Sequence, residues 1–190
     1  KGIAHYLGKK LNRGKHIITQ KTEHPAVLET CEFLEKEGYS VTYLDVDRYG
    51  MINLNDLKKE IKTDTILVSI MYVNNEIGTI QPLKEIGKIC KKKNVCFHTD
   101  ACQAGNYLNL DVKKLGVDLL SLNGSKIYGP KGVGALYIKE GIAMKPLIAG
   151  GSQEKSLRAG TENVGGIAGL GCAAELVTNS LSDVGGTLTA

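Results

Sequence analysis

The sequence has no tryptophan and only four prolines, and its aromatic share is 5%. It also lacks any unbroken apolar run near the ~18 residues that a membrane-spanning helix needs, so no membrane partner is expected. Charge of one sign is not in large excess. The 24 basic and 20 acidic residues leave a net +4 spread along the chain, so a nucleic-acid partner is not implied and none is required. The Lys91-Lys92-Lys93 run reads as the solvated end of a helix. The five cysteines (Cys31, Cys90, Cys96, Cys102, Cys172) include no C-x-x-C pair, which excludes a zinc knuckle or a thioredoxin-type motif. Their odd number and irregular spacing argue against a disulfide framework, and a reducing, cytoplasmic setting is expected.

What the chain has in abundance is glycine, 23 residues in 190, which predicts tight loops where backbone meets backbone or ligand. A hydrophobic share of 42% beside 23% charged residues suits a folded chain of one-domain length with a sizeable core. Short apolar runs alternate with amphipathic stretches. Lys15–Thr19, Tyr39–Val46, Thr65–Tyr72, Val95–Thr99, Val117–Leu122 and Val133–Ile138 read as strands, and Thr65–Tyr72 has the continuous apolar pattern of a strand buried on both faces. Helices are expected from Pro25 to Gly38, over Leu54–Ile61, from about Pro82 to Lys92, and over Gly165–Val177, whose glycine and alanine content predicts close packing. The organisation expected is one α/β unit over residues 1–177 with a frayed tail over 178–190. Its fold class is an open, mostly parallel sheet with helices on both faces, which binds ligands beyond the carboxyl ends of its strands.

Polar clusters stand at four of those strand ends: Lys21-Thr22-Glu23-His24, Asn74-Asn75-Glu76, Asp100-Ala101-Cys102-Gln103 and Asn123-Gly124-Ser125-Lys126. Singly, each has an ordinary structural reading. His24 suits a helix entry, Asp100 a cap, Asn75 and Gln103 a loop backbone, and Lys126 a solvated surface. Together on one rim they suit pyridoxal phosphate. That cofactor needs a lysine amine for a Schiff base and a carboxylate to keep its pyridine nitrogen protonated. It also needs donors for its phenolic oxygen and phosphate, and a flat group over the ring.

Four segments carry a resemblance: TEHPAVLET (22–30), VNNEIGTIQP (73–82), HTDACQAGNYLNLDVKKLGVDLLSLNGSKIYGPKGVGALYI (98–138) and GGSQEKSLRAGTENV (150–164). Together they resemble the cysteine desulfurases, fold type I pyridoxal-phosphate enzymes related to the class V aminotransferases. The resemblance runs in order from about Lys1 to Val177 and implies the large domain of that fold, in its central portion. It implies Lys126 as the residue that binds the cofactor and moves the substrate's proton, Asp100 on the pyridine nitrogen, and His24 stacked on the ring with a share in proton transfer. It implies Gln103 on the phenolic oxygen, Asn75 near that oxygen and the substrate carboxylate, Asn123 and Ser125 on the phosphate, and Thr161 reaching the phosphate site of the other subunit of a homodimer. Many members carry Ser and His where this chain has Asn123 and Ser125, and both replacements still hydrogen-bond a phosphate.

The implied reaction converts L-cysteine to L-alanine and passes sulfur, as a persulfide, to an iron–sulfur scaffold or another acceptor protein. In the family the glycine-rich phosphate loop precedes the segment matched by this chain, and the sulfur-accepting cysteine and the substrate-binding arginine follow it. The chain alone is therefore expected not to complete the cycle. Cys31, Cys90, Cys96 and Cys172 are expected to be core thiols, and Cys102 is not expected to be the sulfur acceptor. The alternatives are another class V enzyme, a selenocysteine lyase or an aminotransferase, and a non-catalytic cofactor-binding or dimerisation module.

Overall fold

A computed structural model of the chain describes residues 1–184. Its elements are α1 (Gly2–Ala4) running into a π-helical stretch His5–Lys10, then β1 (His16–Gln20), α2 (Pro25–Lys36), β2 (Ser40–Leu44), α3 (Leu54–Glu60), β3 (Thr65–Ser69), α4 (Leu83–Lys93) and β4 (Cys96–Asp100). They continue with α5 (Val112–Leu115), β5 (Leu119–Asn123), a 3₁₀ turn Gly124–Ile127, β6 (Gly134–Ile138), α6 (Gln153–Ser156) and α7 (Val164–Val184). The strands form one sheet in the order β2-β1-β3-β4-β5-β6. The first five are mutually parallel because a helix carries the chain back between each pair. No α-helix separates β5 from β6. The 3₁₀ turn and Tyr128–Gly132 bring the chain straight back, so β6 pairs antiparallel to β5. The expected open, mostly parallel sheet is the one observed.

Alternation along each strand divides the core into two layers. Ile18, Leu44, Val68, Phe97 and Leu120 pack with Leu57 of α3, Leu83, Ile86 and Cys90 of α4, and Leu115 of α5. Ile17, Leu67, Cys96 and Leu119 face the other way, against Ile3, Ala4, Leu7, Cys31 and Leu34. Helix boundaries follow local chemistry. Pro25 starts α2, and Gly38 follows it with φ +86°, the left-handed geometry that glycine tolerates best. Lys91–Lys93 close α4, where their charges favour the helix carboxyl end, and Asn94 ends it in the left-handed region.

The α4–α5 contact depends on a missing side chain. A Cβ on Gly87 would lie 2.7 Å from the Leu115 carbonyl oxygen and 3.0 Å from that of Gly116. Gly87→Ala is therefore expected to destabilise the chain by about 1–3 kcal/mol although alanine is the better helix former. Calorimetry checks this, and an unchanged or raised Tm would show that the helices separate freely.

Three expectations need correction. Helix α7 continues to Val184, so 178–184 belong to a helix and not to a tail; 185–190 lie outside the described residues. Nor is α7 closely packed along its length. Its close approach is a narrow contact of Gly169 and Ala173 with the Gly129-Pro130 turn, whereas Val164, Ile167 and Leu176 are exposed. Cys172 lies on this helix and is exposed, so it is not a core thiol, while Cys31, Cys90 and Cys96 are buried.

Candidate functional site

All four polar clusters leave the sheet at the carboxyl ends of parallel strands β1, β3, β4 and β5. Asp100 closes β4, half-buried, and its Oδ1 accepts the Cys102 amide at 2.9 Å, which turns the chain sharply. One strand over, Asn123 closes β5. Its Oδ1 accepts from the Ser125 amide at 3.0 Å and from the Ser125 hydroxyl at 2.9 Å, so Asn123 caps the 3₁₀ turn that presents Lys126 to solvent. The Lys126 carbonyl accepts from Asn106 Nδ2 at 2.5 Å, a bond that fixes the lysine's backbone and leaves its amine unencumbered by it. Gly124 is required here, because a Cβ would stand 2.9 Å from the Val133 carbonyl oxygen and 3.0 Å from that of Pro130.

Cys102 follows Asp100 in the turn after β4 and feels both charged groups. Burial, reinforced by the Asp100 carboxylate, pushes its thiol up to about 12, and Lys126 acts in the opposite direction. Asp100 and Lys126 thus act on one thiol in opposite directions. A thiol held that high is protonated at neutral pH and a poor nucleophile.

The β1 and β3 ends are laced together. His24 is the N-cap of α2, its Nδ1 accepting the Ala26 amide at 3.2 Å, and its ring is exposed on the rim. Beside it, buried Glu23 accepts the Met71 amide at 2.5 Å. Asn74 donates to the Thr22 carbonyl at 2.9 Å while its Oδ1 accepts the Glu76 and Ile77 amides, shaping the loop after β3. Asn75 is exposed and donates to its neighbour Glu76 at 2.6 Å. Gln103 is half-buried in the turn after Asp100. Thr161 is exposed on the segment between α6 and α7.

Beneath Asp100, on the same side of β4, His98 bridges three strands: its Nδ1 is 2.8 Å from Ser69 Oγ of β3 and its Nε2 2.9 Å from Ser121 Oγ of β5. Burial lowers its pKa to about 4, Asp100 opposing, so the ring is neutral and donates to one serine while accepting from the other. Glu23, Asn74 and His98 were not singled out in the sequence. His98 could have been found from its spacing, because two residues before Asp100 on a strand share its face. Glu23 and Asn74 act through partners about 50 positions distant (|i−j| of 48 and 52), which no local pattern reveals.

The class-V aminotransferase family model matches residues 1–183. A cysteine desulfurase IscS from Clostridium botulinum (strain Hall) is 56% identical over 183 residues, covering 96% of this chain and 45% of that protein. Among solved structures, a NifS-like protein superposes with a TM-score of 0.91 at 44% identity, covering 96% of this chain and 51% of that one. SspA in complex with cysteine superposes with a TM-score of 0.84 at 42% identity, covering 92% and 53%. The chain spans about half the length of the relatives it matches. Across nearly its whole described length, this chain belongs to the class-V aminotransferase family.

Proposed function

We propose that the chain is the central, cofactor-holding part of a cysteine desulfurase that uses pyridoxal phosphate. The observation that carries this is the pairing at the ends of adjacent strands: Asp100 closes β4 and Lys126 is presented just past β5. The residues fit the cofactor. Asp100 would hold the pyridine nitrogen protonated and Gln103 would meet the phenolic oxygen. Asn123 and Ser125, whose hydroxyl and amide converge at the turn, would take the phosphate. The unpartnered buried oxygens Thr19 Oγ1 and Thr22 Oγ1 leave hydrogen-bonding capacity on the same rim. When bound, the cofactor supplies an electron sink for the substrate's α-carbon.

The chain's own residues do the rest. Lys126 Nζ, which has no hydrogen-bond or ion-pair partner among the described residues, would take and return the proton at the substrate carbon. His24 would stack on the ring and share in the proton transfer, and Asn75 would orient the substrate carboxylate. Thr161, exposed between α6 and α7, would reach the site of a second copy in a homodimer. L-Cysteine is the substrate, a reading supported by the relatives named cysteine desulfurase and by the solved neighbour SspA in complex with cysteine. The sulfur then passes to an iron–sulfur scaffold or other acceptor protein in the cytoplasm. No described helix is long and apolar enough to cross a membrane.

The protein that carries this segment is expected to release alanine from L-cysteine, with sulfide in equal amount under a thiol reductant. Amino-group transfer to a keto acid without sulfide would sink the desulfurase reading and favour an aminotransferase.

A further inference from the structure

Among the described residues, six buried side-chain polar atoms lack a hydrogen-bond partner, and five of them fall in one stretch, Thr19–Glu23, where β1 ends and the His24 turn begins. Glu23 is its ionisable member with an unsatisfied atom. The residue is 5% exposed, its Oε1 accepts the Met71 amide at the end of β3, and its Oε2 is buried with no partner. The titratable groups that act on it are Asp100 at the end of β4 and Cys31 on α2, and among the described residues no cation pairs with it.

We propose that Glu23 is a positioning residue that works as an undissociated carboxylic acid, fastening the His24 turn to the end of β3 and leaving the negative charge of this rim to Asp100. The proposal rests on the reading of Asp100 as the cofactor's carboxylate. Two ionised carboxylates facing one another across a buried rim repel, and the more deeply buried one keeps its proton. Asp100, half-buried and capped by an amide, is the better seat for the charge. The undissociated acid still accepts the Met71 amide and gains an O–H donor on the unsatisfied side. Burial first, then the Asp100 charge, raises the Glu23 pKa to about 8 against the pull of the Met71 amide.

The test uses the whole chain, first without cofactor. The folded chain keeps this proton to higher pH than the unfolded chain does. Stability from it is therefore complete below the unfolded carboxyl pKa and is lost as pH rises through about 8. Glu23→Gln has no proton to lose, so its Tm should fall less than the parent's between about pH 5 and about pH 9. Parallel curves for parent and Glu23→Gln would overturn the proposal. Titration with pyridoxal phosphate at neutral pH then separates positioning from simple packing. Glu23→Gln should keep the parent Kd within about threefold, while Glu23→Ala weakens it about tenfold. Loss in the Gln variant, or none in the Ala variant, would overturn the positioning role. If Glu23→Ala fails to fold, the Gln variant decides by its retained or lost affinity. A parent that binds no pyridoxal phosphate would refute the functional reading, and the cofactor-free comparison would still decide the state of Glu23.

Discussion

Asp100→Ala is expected to weaken pyridoxal phosphate binding by roughly 10- to 100-fold, the equivalent of losing one hydrogen bond to a charged group at about 1.5–3 kcal/mol. Asp100→Asn should fall between parent and Ala, because an amide keeps a hydrogen-bonding oxygen and loses the charge. The structure separates this effect from misfolding. The hydrogen bond that Asp100 makes to the fold is the cap on the Cys102 amide, and losing a cap costs about 1 kcal/mol. The Tm should therefore drop only a few degrees while affinity collapses. Removing the charge also relieves Glu23, whose proton is held partly by Asp100. The pH at which that loss of stability is complete should then move down, and the loss should be smaller. An Asp100→Ala variant that binds the cofactor like the parent would place the pyridine nitrogen elsewhere.

The largest stability effect is expected at Phe97. It is fully buried on β4, packed in the layer formed with α3, α4 and α5, and its neighbours in sequence, His98 and Cys96, face the other layer. Phe97→Ala removes a ring from this close-packed layer and leaves a cavity, at a cost of roughly 3–5 kcal/mol. For a chain of this length that lowers Tm by about 10 °C. Because β4 carries both His98 and Asp100, strand disorder at Phe97 would also loosen the site. Calorimetry of the variant, with and without pyridoxal phosphate, checks both. A loss well below 1 kcal/mol would mean that the cavity collapses and that this layer is far less tightly packed than the burial indicates.

Much of this architecture was legible in the sequence for physical reasons. Parallel strands buried on both faces leave continuous apolar runs such as Thr65–Ser69, and the polar clusters stand out because the chain must change from apolar to polar where it leaves the sheet. The parallel order followed from strand–helix alternation, and the placement of Asp100, Asn123 and Lys126 at adjacent strand ends followed from that order. What was not legible depended on distant partners. The π-helical stretch His5–Lys10 packs where Leu7 meets the second core layer and His5 pairs with Glu37 at 2.7 Å, contacts invisible in a local pattern. The exposure of α7 was misread because glycine and alanine predict close approach without saying how much of a helix finds a partner. Cys172 was misjudged by the same reasoning. Glu23 was overlooked beside His24 because its buried state is set by Met71 and Asp100, 48 and 77 positions away.

The central claim is that Lys126 and Asp100 form a pyridoxal-phosphate site, and borohydride reduction of the chain mixed with the cofactor, followed by peptide mapping, tests it most directly. One pyridoxyl group is expected on Lys126 in the parent, and none at that position in Lys126→Ala. Labelling scattered over surface lysines such as Lys91–Lys93, or labelling unchanged by the Lys126→Ala substitution, would contradict it.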